Sequence, residues 1–357
     1  MTEAMGGGIV SFISSIGNRQ SSAGARVAVL YARRADTPPE SDLRQRFGDR
    51  VELHPPVTGK SHLTRSWQLR RRLRAQMRSG DYDVVHLHSS IAGALGRTVR
   101  RRREDVLRVY SPHGFSFLRE DKSLTNRWAT EAAERAMARL DPLILTSVSE
   151  VEIARQRLRA KELAFLQSGV PRSSIVDRPH TPVQRLRVLM LGRVVYQKAP
   201  WRFAAVARAL GHLADFVWVG AGNGNYPREW FADSPVQVLD WVAPEQLDDL
   251  LAQSAVFLFP TLWEGMSLSL IHAQSCGVPC VTTNVVGNRD AIVHGETGFV
   301  CDSDPELIEA TRLLLEDPAL RKTMREAAQR HARAALTDDE IGTASLELYH
   351  RWMSASR

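Results

Sequence analysis

Long hydrophobic runs are the first thing missing. Nothing in the 357 residues approaches the roughly 18 consecutive apolar side chains that a membrane-crossing helix needs, so a spanning protein is not expected. Cysteine is scarce: Cys276, Cys280 and Cys301 have neither zinc-type spacing nor the makings of a disulfide framework, which fits a reducing cytoplasm. Residues 6–16 lack a basic leader and a small-residue cleavage site, so secretion is not expected. Lysine is also rare, five against forty-two arginines, a bias that reflects GC-rich coding more than chemistry. Position says more. Arg70, Arg71, Arg72, Arg74, Arg78 and the arginines at 100–103 all fall in the first third of the chain. They suit phosphates or anionic headgroups and are expected to help dock the protein on an anionic membrane, although a solvated helix face is the plain alternative. No aromatics interleave with them, which argues against a nucleic-acid module.

What is present is a soluble two-domain pattern, with charged residues at 24% and apolar ones at 43%. Short apolar strands alternate with helices, the rhythm of parallel α/β sheets. In the first half, Gly6, Gly7 and Gly8 open a helix, and strands follow near 26–33, 51–54, 83–88, 108–113, 143–148 and 164–166. A glycine loop normally leaves the central strand of a βαβ unit, and no strand precedes this one, so the first strand is expected to be missing. A polar linker at 176–185 sets the expected domains at 1–180 and 181–337, with 338–357 as a final helix. The second half restarts the rhythm at 186–191 and continues through 216–219, 236–239, 255–259 and 278–282.

The chemistry gathers between 257 and 290. An apolar strand stops at Pro260, a turn carries Trp263, Glu264 and Gly265, and a helix begins at Leu268 and ends at Gly277. Ligands of open parallel sheets sit at strand carboxyl ends against helix amino termini. Glu264 can therefore accept sugar hydroxyls while the amides of Gly265, Met266 and Ser267 hold an anion; it can equally serve only the helix dipole. Arg193 and Lys198 flank the loop after the second domain's first strand. Two fixed cations can neutralise a diphosphate without a metal, and two exposed charges in a loose loop are the alternative. Asp81 with Asp83, and Asp302 with Asp304, read as turn and capping acids rather than metal pairs. Gly220, Gly222 and Gly224 match only part of a dinucleotide fingerprint, so NAD is not inferred. His86, His88 and His113 end neighbouring strands without an acid or cysteine at ligand spacing, which favours one poised histidine over zinc.

Several motifs agree with one family. Gly192, Arg193 and Lys198, the run from Pro260 to Glu264 and Gly265, Gly277 with Pro279, and Gly287 with Asp290 resemble the retaining GT-B glycosyltransferases of family 4. Asp83, His86, His88, His113 and Gly114 match in the first half. The resemblance implies two doubly wound Rossmann-like domains facing a cleft, with the last helix crossing back to the first domain. It implies transfer of a sugar from a nucleoside diphosphate, UDP favoured, to a glycan or lipid-linked acceptor, at the cytoplasmic face of the membrane and with no metal or other cofactor. By position, Arg193 and Lys198 would hold the diphosphate, Glu264 the donor sugar, and His113 would approach that sugar. Gly7 and Gly8 would close on the phosphates or acceptor, and Gly222, Val242, Gly265, Met266, Ser267, Leu268, His272 and Asp290 would line the donor. The family's second acid, eight residues after the first, is replaced by His272, read as a neutral imidazole accepting one ribose hydroxyl. Asp240 stands where glycine is usual. A non-catalytic sugar-nucleotide or glycan binder and a sugar-nucleotide epimerase are the alternatives.

Overall fold

The computed structural model describes residues 1–79, 82–99, 106–176, 184–222, 224 and 226–355. Asp81, the arginines at 100–103 and most of the 176–185 linker lie outside the described residues. The chain divides into two compact units. Unit 1 is Met1–Leu118, Lys122–Ser168 and Asp338–Arg357; unit 2 is Gly169–Thr337 with Arg119–Asp121. The division expected at 180 thus falls at Ser168/Gly169. The reason is local: Val170 N donates to Leu336 O at 3.1 Å, and Val170 pairs with Thr337, tying the segment after Ser168 into unit 2.

Unit 1 begins with α1 (Gly7–Ser22), β1 (Val27–Val29), α2 (Glu40–Phe47), β2 (Val51–Leu53), α3 (His62–Ser79) and β3 (Val84–His88). It continues through α4 (Ser90–Arg97), β4 (Leu107–Ser111), α5 (Leu124–Met137), β5 (Leu143–Leu145), α6 (Val148–Gln156) and β6 (Leu163–Phe165). Ser147 caps α6: its hydroxyl accepts from Glu150 N at 3.2 Å. The strands form a parallel pair, β1 with β2, and a parallel sheet in the order β3-β4-β5-β6.

The residues ahead of α1 pair with two strand ends. Thr2 bridges Tyr31 on one side and His88 on the other, both in the parallel sense. Thr2 N donates to Leu30 O at 3.0 Å, Ala32 N to Thr2 O at 3.1 Å and His88 N to Met1 O at 2.8 Å. Met1 and Thr2 thus lie between the segment after β1 and the end of β3, and bridge the two sheets. Beside them lies a cavity of about 450 Å³, lined by Val27 and Val29 of β1, Val84 of β3, and Ile13 and Ile16 of α1. The Met1 amine faces this cavity and donates to His86 O at 2.6 Å.

Unit 2 comprises β7 (Leu186–Leu191), α7 (Pro200–Leu210), β8 (Ala214–Val219), β9 (Val236–Leu239), α8 (Pro244–Ala252), β10 (Val256–Phe259), α9 (Leu268–Ser275), β11 (Cys280–Thr283), α10 (Asn288–Ala291), β12 (Gly298–Cys301), α11 (Asp304–Glu316) and α12 (Pro318–Ala335). Its six parallel strands run β12-β11-β10-β7-β8-β9. The central strands are near-continuous Val, Leu and Phe because helices cover both faces. Phe203, Phe216, Trp218, Phe257 and Phe259 are all fully buried in this core. The chain winds outward one way from β7 and the other way from β10, so the loops after those two strands meet at the topological switch point.

The last helix, α13 (Ile341–Ala355), belongs to unit 1 and packs on α1. Contact is backbone-close at Gly342, where a β-carbon would lie 2.4 Å from Arg19 Cβ. Gln20 donates to Ser345 Oγ at 2.8 Å, and Arg19 pairs with Asp338 at 3.0 Å.

Candidate active site

At the switch point of unit 2, the loop after β7 carries Gly192, Arg193 and a 3-10 turn, Tyr196–Lys198. The loop after β10 carries Trp263 and Glu264. They are laced together: Leu262 N donates to Gln197 O at 2.9 Å, and Gln197 Nε2 to Trp263 O at 2.7 Å. Lys198 Nζ then reaches Glu264 Oε1 at 2.7 Å and lies 4.5 Å from the Phe259 ring centroid. Both charged side chains are largely shielded, 14% and 10% exposed, so each loses solvation that the other replaces. Arg193 lies exposed on the same loop.

The Glu264 turn is set by its neighbours. Gly287, at φ 81°, packs so tightly on Gly265 that a β-carbon would meet the Gly265 carbonyl oxygen at 1.6 Å. Asn288 Nδ2 donates to Thr261 Oγ1 at 2.9 Å, and Thr283 Oγ1 to Thr261 O at 2.5 Å. Ser267 is the N-cap of α9 but its side chain caps nothing, and no acid sits in the first turn. The amino end of α9, next to Glu264, therefore keeps its positive dipole end for an anion. Gly222, at φ 57°, follows β8, with Trp241 Nε1 3.7 Å from where its β-carbon would be; half-buried Val242 follows β9. All these groups lie at strand carboxyl ends of one sheet.

In unit 1, His86, His88 and His113 form a network at the ends of β3 and β4. Ser111 Oγ donates to Ile144 O at 2.7 Å, so it must accept from His86 Nε2 at 2.9 Å. His86 Nδ1 then accepts from the Tyr349 hydroxyl of α13 at 2.7 Å. His88 Nδ1 shares a proton with His113 Nε2 at 3.1 Å, and Phe12 of α1 packs edge-on against His113 at 4.8 Å. Burial keeps the three rings neutral: His113 is pushed down to about 4, and His86 and His88 fall well below the ordinary range, with the Met1 amine and the neighbouring rings adding to the effect. His113 adopts a left-handed backbone, φ 55°, and the next amide, Gly114 N, donates to the buried Glu150 at 2.8 Å. Gly7 and Gly8 are exposed at the start of α1, where no side chain caps the helix and the first turn has no acid.

The sequence relationships agree with this arrangement. The family model described as glycosyl transferases group 1 matches residues 185–317, and that of glycosyltransferase family 4 matches residues 6–173. The chain belongs to this glycosyltransferase family. It is 28% identical over 245 residues to the UDP-Gal:alpha-D-GlcNAc-diphosphoundecaprenol alpha-1,3-galactosyltransferase of Escherichia coli, an alignment covering 62% of each protein. The chain thus spans under two thirds of that relative's length. It is 26% identical to a D-inositol 3-phosphate glycosyltransferase of Thermobispora bispora, over 97% of this chain and 91% of the relative. In fold it matches the sucrose-phosphate synthase of Thermosynechococcus elongatus with a TM-score of 0.82, at 18% identity, over 99% of this chain and 95% of that one. The fold is the GT-B type, two Rossmann-like units.

Within that glycosyltransferase frame, Asp290 and His272 each have a partner inside unit 2. Asp290 is turned inward on its own loop, accepting from Gly287 N at 3.1 Å, so it shapes the turn that presses on Gly265. His272 is not the neutral acceptor expected. Burial opposes its charge, but hydrogen bonds to Asp248 and Cys276 outweigh that and raise it to about 9. Near neutral pH it is an imidazolium, with Nε2 2.7 Å from Asp248 Oδ1. Asp248, His272 and Cys276 also form the one group among the described residues able to offer three metal-ligand atoms, within 4.8 Å of one another. Sequence reading missed Asp248, Gln197 and Glu150. Only Glu150 left a local signal, as the acid three residues after the Ser147 cap.

Proposed function

We propose that this glycosyltransferase moves a hexose from a nucleoside-diphosphate donor, UDP-linked for preference, to a glycan or lipid-linked acceptor with retention of configuration. The observation that carries the reading is the Lys198–Glu264 pair at the switch point, set beside the uncapped amino end of α9. Lys198 and Arg193 would hold the diphosphate and offset the negative charge that grows on it as the bond to the sugar breaks. This needs no metal, and none is proposed. Glu264 would accept sugar hydroxyls, beside the amides of Gly265, Met266, Ser267 and Leu268. His113 is proposed to contact the sugar as a neutral ring. Gly7 and Gly8, at the open start of α1, are proposed for the phosphates or acceptor, and Gly222 and Val242 for the nucleotide.

The step is a front-face exchange. The bond from the anomeric carbon to the phosphate oxygen breaks while the acceptor oxygen bonds to the same face. The departing phosphate oxygen takes the acceptor's proton. The Escherichia coli relative is named for a UDP-galactose donor and a diphosphoundecaprenol-linked acceptor, which supports the donor and acceptor classes proposed here. A lipid-linked acceptor would place the work at the cytoplasmic face of a membrane. No helix among the described residues is long and apolar enough to cross one.

The test is UDP release from a panel of UDP-sugars with and without lipid-linked glycan acceptors. Acceptor-dependent release that falls about 100-fold or more in Lys198→Ala and Glu264→Ala supports the reading. Full turnover in both variants would sink it.

A further inference from the structure

His86 and His88 are two residues apart on β3, so their side chains leave the same face of the strand. Their ring centroids lie 4.0 Å apart, with the planes tilted by 34°. His86 is fixed by its bonds to Ser111 Oγ and the Tyr349 hydroxyl, so it gives His88 a rigid wall. Phe12 of α1 meets both His88 and His113 edge-on, at 5.9 and 4.8 Å. His88 is only 4% exposed, and its ring lies within 21° of parallel to that of His113.

The backbone of His113 is held as firmly. Its φ of 55° is left-handed, a strain for any residue with a β-carbon, and the neighbours maintain it. Gly114 N donates to Glu150 Oε1 at 2.8 Å. The other oxygen of Glu150 accepts from Thr146 N at 3.1 Å and from Thr146 Oγ1 at 3.0 Å, which anchors the carboxylate. None of these contacts reaches a ring nitrogen of His113. One does: His88 Nδ1 stands 3.1 Å from His113 Nε2. Among the described residues, His113 Nδ1 has no hydrogen-bond partner.

A neutral imidazole carries one N–H, and the bond made at one nitrogen decides the state of the other. A single hydrogen fits between His88 Nδ1 and His113 Nε2. When it belongs to His113, the outer Nδ1 is bare and accepts; when it belongs to His88, that Nδ1 carries a hydrogen and donates. We propose that His88 is a positioning residue whose Nδ1 holds His113 Nε2, confines His113 to one tautomer and leaves its Nδ1 for the donor sugar. A sugar hydroxyl then meets a ring that is already oriented and needs no rearrangement as the bond to phosphate breaks. The inference rests on the proposed contact of His113 with the sugar. It adds a residue that acts only through that ring.

The test is a double-mutant cycle on the full chain, read by acceptor-dependent UDP release, with His113→Ala as reference. His88→Leu fills the buried space without a ring nitrogen. It is expected to lower kcat on the order of 100-fold with donor KM little changed. His88→Asn places an amide near the position of Nδ1 and is expected to return activity to within about tenfold of wild type. In the His113→Ala background, His88→Leu is expected to add no further loss. Nitrogen-15 spectra of histidine-labelled protein are expected to show one His113 tautomer in wild type and His88→Asn, and a mixture in His88→Leu. Full activity in His88→Leu, better activity in His88→Leu than in His88→Asn, or a further loss on top of His113→Ala assigns His88 to packing and overturns the proposal. Two His113 tautomers in the wild-type spectrum overturn it without any variant. Full activity in His113→Ala overturns the sugar contact itself, and the role of His88 falls with it.

Discussion

Gly287 stands against Gly265 with no room for a side chain between them: a β-carbon at 287 would sit 1.6 Å from the Gly265 carbonyl oxygen. Gly287→Ala must therefore push back the turn that carries Glu264. Gly295 provides the comparison, with the same φ of 81° and nothing within 4 Å of its β-carbon. Gly295→Ala is expected to cost only the left-handed strain, about 1–2 kcal/mol in urea unfolding. Gly287→Ala is expected to lower transfer about 100-fold as well, through misplacement of the acid. Equal transfer rates in the two variants would break the link between this glycine and the site.

Lys198 and Glu264 should fail unequally if each has the proposed role. Removing the cation leaves a shielded carboxylate without its partner, and removing the acid leaves a shielded ammonium. Glu264→Gln keeps the shape and hydrogen-bonding reach but discards the charge. It is expected to cut kcat by roughly 100-fold while leaving unfolding within about 1–2 kcal/mol of wild type. Steady-state kinetics and urea titration on the same preparation separate these effects. A Glu264→Gln variant with normal kcat would assign the carboxylate to structure alone.

The histidine network makes unit 1 sensitive to acid. His113 is held near 4, and His86 and His88 are also held below the usual histidine value. Below about pH 6.5 the unfolded chain binds protons at these rings that the folded chain refuses, so stability rises with pH across this window. Stability present above pH 6.5 is thus lost as pH falls toward 4, by up to about 1.4 kcal/mol per pH unit for each ring. Urea midpoints measured across that range should fall steadily, and a flat profile would contradict the buried, neutral assignment.

His272 has the opposite sign. Its folded value is raised to about 9, so the unfolded chain gives up this proton first. The stability it contributes is complete below about pH 6.5 and is lost as pH rises through 9. Asp248→Asn removes the carboxylate bonded to its Nε2 and is expected to flatten that alkaline decline, by on the order of 1 kcal/mol. An NMR titration of His272 that moved by less than half a unit in Asp248→Asn would refute the pairing.

Legibility in the sequence followed distance along the chain. The strand, turn and helix between 256 and 275 were readable because an apolar run, Pro260, Gly265 and the cap at Gly277 lie close together and each has a local reason. Unit 2 as a doubly wound sheet followed from the same rhythm. The Asp248–His272 contact was not readable, since 24 positions separate the partners and neither helix alone calls for it. The charge on His272 was misread for that reason. The capping role of Asp290 depends on a short helix the pattern did not reveal. Met1 and Thr2 are too few to show strand periodicity, so only the two edges they bridge disclose them.

Those two edges carry a practical consequence. The Met1 nitrogen is buried, and burial holds its pKa down to about 5 despite the nearby Glu3. The amine faces the cavity between β1 and β3. An affinity tag joined at that end would therefore start inside it, and how apolar the tag's last few residues are is expected to decide whether the protein is steadied or prised open.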